Sequence, residues 1–326
     1  MVKIVYILVS SQQDYFLEQT ILSAYSAKRY NPNVNIVVVA DQDTAKTLVG
    51  NRRKINDYVT TILIVDVPVK YNMMQKSRFL KTNLPAYVDG DFIYMDSDTV
   101  VSGSLADIYN DVNDLGLIRD ENLEEYSARI KDWIRDNCEM IGWPDLSEEK
   151  GYNGGIIVFR RTLRAEDFFC RWHENWKECC SKGYDRDQLA LTKTNKECGH
   201  VFIELDGKYN CQIAKFEADR YKSNARILHY YDMSNCYHIY NDFKVWNKFK
   251  NQDVIPQEFL DAVDNPQKVL AERYIRVYEN DIQFLQSSWH ELYFNYPTLQ
   301  KIMLPFCLAL CRVWGEARNV KNKLLR

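Results

Sequence analysis

The sequence predicts an α/β fold, a mostly parallel sheet flanked by helices, followed by a helical C-terminal region. Three observations carry this expectation. Unbroken apolar runs of strand length recur through the first two thirds of the chain. Amphipathic segments separate them, which is the pattern of βαβ units with both sheet faces covered. After about Ile255 only helical signals remain.

The first run, Ile4 to Val9, reads as a buried strand and ends in the polar turn Ser10-Ser11-Gln12-Gln13. Asp14 can cap a helix whose apolar face carries Leu17, Ile21 and Tyr25 at i, i+4 and i+8. Asn31-Pro32-Asn33 stops that helix, and a second strand, Ile36 to Ala40, runs into Asp41. Ile62 to Val67 is the third strand; a helix carrying Met74, Arg78 and Leu84 leads to the fourth, Phe92 to Met95. The polar stretch Asp120 to Lys150 is an excursion with helical content from Leu123 to Arg135. Gly151-Tyr152-Asn153-Gly154-Gly155 precedes the strand Ile156 to Phe159; its Asn and glycines fit close backbone approach to a ligand, the alternative being a plain turn, and a helix over about Ala165 to Cys180 follows. A short strand, Ile227 to Tyr230, carries His229.

Composition narrows the function. Lys and Arg number 42 against 45 Asp and Glu, a net charge of −3 that removes the electrostatic case for a nucleic-acid partner. Nine cysteines are scattered without CxxC pairs or zinc spacing, and Met1 to Val9 lacks the plan of a signal peptide, so reduced thiols and a cytoplasmic location are expected. No GxGxxG, GxxxxGK[ST] or GxSxG motif appears, and His173 reads as a helix-surface residue. Dehydrogenase, P-loop and serine-hydrolase chemistry therefore lack their machinery. The run Ile302 to Val313 is shorter than the about 20 residues that span a bilayer. With Trp314 and the basic residues up to Arg326, the segment 296–326 is a candidate for peripheral contact with the inner face of the cytoplasmic membrane.

The strongest chemical signal is Asp96-Ser97-Asp98, directly after an apolar strand. Ligands of parallel α/β sheets bind beyond the carboxyl ends of the strands. Residues i and i+2 share a side, and two carboxylates held close repel unless a cation lies between them. Hard oxygen ligands suit Mg2+ or Mn2+, which in turn bind phosphate oxygens.

Lys76-Ser77-Arg78-Phe79, then Phe92-Ile93-Tyr94-Met95-Asp96-Ser97-Asp98-Thr99, then Tyr152-Asn153-Gly154-Gly155-Ile156 and Asp187-Gln188 follow in this order. Together they resemble glycosyltransferases of family 8, enzymes of the GT-A fold that use nucleotide-sugar donors, over roughly residues 3 to 246. The resemblance implies a catalytic domain, 1–246, and a helical C-terminal region, 247–326. It implies Mn2+ (or Mg2+) on Asp96 and Asp98, with a histidine as third ligand. His229 follows the expected apolar strand, whereas His238 has the expected spacing to Lys244-Val245-Trp246. Lys244 would touch the donor phosphate, and Arg78 the donor. Ser97, Asn153, Gly154 and Gly155 would line the donor site, and Asp187 and Gln188 the sugar, with Asp185 a competing carboxylate. The nucleotide base would lie near Val9, Ser10, Ser11 and Asp41. The activity so implied moves a hexose from a UDP-sugar to a hydroxyl of a glycan or lipid-linked acceptor, with retention, in polysaccharide biosynthesis. Two rival readings are a nucleotidyltransferase, whose Gly-rich basic loop is missing after the first strand, and a non-catalytic nucleotide-sugar binding protein.

Overall fold

Five of the six residues of β1 (Lys3–Leu8) are buried, the pattern of a strand covered on both faces. The computed structural model describes residues 2–231 and 239–271. After β1 the chain runs through α1 (Phe16–Tyr30), β2 (Asn35–Asp41), α2 (Gln42–Thr47), β3 (Thr61–Val65), α3 (Met73–Thr82), β4 (Phe92–Met95) and β5 (Thr99–Val101). It continues with β6 (Leu115–Arg119), α4 (Ala128–Met140), β7 (Tyr152–Phe159), α5 (Leu163–Ser181), α6 (Gln188–Glu197), β8 (Phe202–Glu204), β9 (Cys211–Gln212) and β10 (Ile227–His229). Helices α7 (Phe243–Lys250), α8 (Gln257–Asp264) and α9 (Pro266–Ala271) close the described chain.

Seven strands form the main sheet in the order β3-β2-β1-β4-β7-β6-β8, and a second sheet is ordered β5-β10-β9. In the main sheet only β7 runs against its neighbours. The first three strands are laid down in one direction, and β4 returns to the other side of β1. The order thus reverses between β1 and β4, which opens a crevice beyond the carboxyl ends of these two strands.

Aromatic side chains fill the layer between the sheet and α5. Phe168, Phe169, Trp172 and Trp176, spaced to share a helix face, are all buried. Phe92 and Phe159 stack at 4.6 Å across the β4–β7 pair. A fully buried side chain of this size contributes about 1.5–3 kcal/mol.

Several boundaries differ from the sequence expectation. Helix α1 begins at Phe16, and the Asp14 carboxylate, besides accepting the Phe16 N–H at 3.1 Å, accepts Ser10 Oγ and the Ser11 N–H at 2.7 Å each. Helix α3 stops at Thr82, leaving Leu84 in a separate 3-10 turn with Pro85. Asn153-Gly154-Gly155, expected ahead of the strand, is already part of it, since β7 starts at Tyr152. The excursion helix starts later, at Ala128, where Ser127 caps it. His173 is buried, not exposed: Thr82 Oγ1 lies 2.7 Å from its Nδ1, and burial lowers its pKa to about 4.

Helices α7 to α9 belong to the same compact unit as the sheet. The other unit, residues 234–236 and 272–326, lies outside the described residues, and so does the 296–326 segment. Among the described residues no helix is long and apolar enough to cross a membrane, and the six described cysteines are unbridged.

Candidate active site

The β4 strand delivers Asp96 to the crevice, and the turn through Ser97 and Asp98 is closed by Thr99 Oγ1, which donates to the Asp96 carbonyl at 2.7 Å. Strand β5 then pairs antiparallel with β10 in a register that sets His229 opposite Thr99. His229 Nε2 consequently lies 3.2 Å from Asp98 Oδ1. One oxygen each from Asp96 and Asp98 and one nitrogen of His229 fall within 4.8 Å of one another. Two carboxylates and an imidazole are a mixed hard set that could hold Mg2+ or Mn2+.

The imidazole is held from behind. Asp120 Oδ1 accepts from the Asn153 amide at 3.0 Å, Asn153 Oδ1 accepts from the Asn210 amide at 3.0 Å, and Asn210 Oδ1 lies 2.9 Å from His229 Nδ1. A carboxylate such as Asp120 only accepts, so it sets the polarity of the whole relay. Nδ1 must carry a proton, and Nε2 is the ring nitrogen directed at Asp98 and at the site. Burial raises the Asp98 carboxyl pKa, but His229 outweighs it and the net shift is downward.

A second cluster adjoins the first. Arg78 and Lys81, one helical turn apart on α3, both reach Asp187, Arg78 Nε at 3.0 Å and Lys81 Nζ at 3.2 Å. Lys81 Nζ also lies 3.6 Å from Asp96 Oδ1, and its side chain is only 4% exposed. Burial would raise the Asp187 carboxyl pKa; the Lys81 ammonium and Arg78 guanidinium overcome it and hold it at about 2. Asp187 stands at the N-cap position of α6 yet makes no side-chain cap bond, so its carboxylate serves the cluster and not the helix. Gln188 Nε2 donates to the Tyr152 carbonyl at 2.7 Å.

Two cavities meet here, at Met74, Arg78, Asp96 and Asp98. One, of about 580 Å³, runs toward the end of β1 and is lined by Val9, Ser11, Ser77 and Ser97 among others. The other, of about 670 Å³, is lined by Asn153, Gly154, Gly155, Asp187, Gln188 and His229 among others. Four expected residues line neither. Ser10 is buried beneath the first turn, bonded to Asp14 and Arg52. Asp41 caps α2 through the Thr44 N–H and pairs with Lys76 at 3.0 Å. Asp185 accepts from Gln75 and Asn72 at the start of α3. Lys244 is exposed at the start of α7. His238 lies outside the described residues.

The Glycosyl transferase family 8 model matches residues 7–248, most of the chain and all of this site. The chain belongs to glycosyltransferase family 8. No curated protein sequence matches it. Among solved structures, the galactosyltransferase LgtC with donor and acceptor sugar analogs is similar at 15% identity, covering 80% of this chain and 99% of that one, with a TM-score of 0.51. The bifunctional glycosyltransferase WbbM, in its apo form, is 17% identical over 84% of this chain and 52% of its own, with a TM-score of 0.50. Mouse xyloside xylosyltransferase 1, apo form, shares 12% identity over 71% of this chain and 98% of its own, with a TM-score of 0.48. The family 8 enzyme therefore has the GT-A fold, which its crevice and mostly parallel sheet display.

Sequence reasoning on this family 8 chain missed Lys81, Asn210 and Asp120. Lys81 reads as one more cation on a helix face with Lys76 and Arg78. Its position at i+3 from Arg78 was the available signal, because it puts both cations on one side of α3. Asn210 lies in a 3-10 turn before β9 and has no local signature.

Proposed function

We propose that the enzyme transfers a hexose from a UDP-sugar to a hydroxyl of a glycan or lipid-linked acceptor, with retention, using a divalent metal. The observation that carries this reading is the convergence of Asp96, Asp98 and His229 where the two cavities meet. A nucleotide in the β1-side cavity and a sugar in the other would place the diphosphate over these three side chains. The donor set fits the ion: Asp96, Asp98 and the Asn210-oriented Nε2 of His229 would hold Mn2+ or Mg2+, which supplies positive charge for the leaving diphosphate. Lys244 is the further cation assigned to the donor phosphate.

Asp187 binds the sugar hydroxyls. Held near pKa 2 by two cations, it is a weak base and a weak nucleophile but a strong hydrogen-bond acceptor. Gln188, with its amide committed to Tyr152, keeps its carbonyl oxygen for the substrate. A front-side route follows: the acceptor oxygen bonds to the anomeric carbon on the face from which the diphosphate departs. The leaving phosphate oxygen takes the acceptor proton.

The test is release of free nucleotide from a panel of nucleotide sugars, with Mn2+ and with chelator, for the natural enzyme and Asp98→Ala. Release from one donor, lost with chelator and in the variant, is the expected result. Binding without release in the presence of acceptor extract would instead favour a binding protein; no binding to any donor would overturn the metal site. Asn210→Ala should weaken Mn2+ about 10- to 100-fold by freeing the His229 ring. Titration calorimetry with the metal alone measures this, and an unchanged Kd would refute the orienting role.

A further inference from the structure

The larger cavity extends past the reacting centre to a wall that the β1-side cavity does not share. Arg129, Ile130 and Trp133 of α4 form it together with Arg186. Arg129 and Trp133 are four residues apart and Ile130 and Trp133 three, so one helix face presents all three. Trp133 is 40% exposed, a large indole left open to the cavity, and the Arg186 guanidinium lies 6.0 Å from its ring centre.

Charge separates this wall from the rest of the cavity. Asp187 is matched by Arg78 and Lys81, Glu121 pairs with Lys215 at 2.8 Å, and Asp120 accepts from Tyr126 and Asn153. Among the described residues Arg129 and Arg186 form no ion pair and donate no hydrogen bond. Two guanidiniums therefore face the cavity with their forks open, a geometry suited to the oxygens of a phosphate or carboxylate. The half-exposed indole of Trp133, on the same helix face as Arg129 and beside Arg186, offers a flat apolar surface for the C–H face of a sugar ring.

We propose that this wall is the acceptor subsite and that the acceptor is an anionic saccharide, a sugar ring stacked on Trp133 whose acidic group is held by Arg129 and Arg186. The inference rests on the transferase reading and gives its acceptor a chemical class.

Three probes test it on the 326-residue chain with UDP and Mn2+ present: methyl glucoside, its 6-phosphate and methyl glucuronide, with Kd values from saturation-transfer NMR. At least one anionic probe should bind about tenfold or more tighter than the neutral one, the equivalent of one charge-assisted hydrogen bond. The arm that gains identifies phosphate or carboxylate as the acid. Arg129→Gln with Arg186→Gln should erase the preference, and Trp133→Ala should weaken all three probes; unchanged thermal unfolding midpoints certify the fold. Equal binding of neutral and anionic probes, a preference that survives the double variant, or no binding of any probe would each overturn the proposal. Metal-dependent nucleotide release by the natural enzyme, measured alongside, tells this failure from failure of the transferase reading, because it depends on the donor site alone.

Discussion

Replacing Gly155 by alanine is expected to remove nearly all metal-dependent activity while leaving the protein folded. A Cβ at this position would lie 2.3 Å from His229 Cε1, 2.8 Å from Asn153 Oδ1 and 2.9 Å from Asp96 Oδ2. None of the three neighbours can yield freely. Asn210 holds the buried His229 ring, Tyr94 and Lys81 hold Asp96, and Asn153 is tied to Asp120. The collision must therefore spread the three groups proposed to bind metal and sugar. A misplacement of about 1 Å at a reacting centre costs about 100-fold in rate. Stability should fall by about 1–3 kcal/mol, the usual cost of overpacking. Nucleotide release, Mn2+ titration and circular dichroism measure the three effects. Activity within a few-fold of the natural enzyme would mean that the close approach of β7 to His229 has no role in the chemistry.

The second large effect is expected at Lys81. Lys81→Met keeps the apolar stem and removes the charge that Asp96 and Asp187 share. Removing one partner of a buried ion pair costs about 3–5 kcal/mol. Because Arg78 still faces Asp187, the lower end of that range applies. Lys81→Arg should rescue only in part, because a planar guanidinium does not replace a compact ammonium that already lies 3.3 Å from where a Gly154 Cβ would be.

The loss should depend on pH in a stated direction. The Asp187 pKa is near 2 in the folded protein against an ordinary 3.8. A lowered folded-state pKa means that the unfolded chain binds the extra proton, so this stabilisation is full above about pH 4 and fades as pH falls toward 2. The gap between natural enzyme and Lys81→Met should thus be widest at neutral pH and narrow through that window. Urea unfolding midpoints at pH 7 and at steps below pH 4 measure it. A gap of constant size would show that Lys81 acts through packing alone.

Much of this architecture was legible along the chain. Strands β1, β2 and β4 announce themselves because each is an apolar run, and a strand covered on both faces needs that composition whatever it pairs with; β3, the half-exposed edge strand, shows the same apolar run. The Asp96–Asp98 pair was legible for a related reason: its position after β4 follows from strand polarity alone. The short strands β5, β8 and β9, two or three residues each, carry no period to read and form because neighbours present unpaired backbone. Asn153 to Gly155 read as a place of close backbone approach, or else a turn, ahead of a strand that begins at Ile156. The structure makes it strand because only glycine lets β7 pass so close to His229.

The sequence by itself determined the first four strands and the helices between them, the strand end that carries the carboxylates and the family to which the chain belongs. Only the tertiary structure decided which partners meet there. The β5–β10 register brings His229 to Asp98, and the reversal at β1 and β4 turns α3 so that Lys81 is buried between two carboxylates. Asp41, equally well placed at a strand end, is spent on a helix cap and on Lys76. The physical reason is one of range. Propensity and hydrophobic period act over a few neighbouring residues, whereas a side chain's charge and hydrogen-bond duties are set by groups far away in sequence that share its low-dielectric surroundings only after folding.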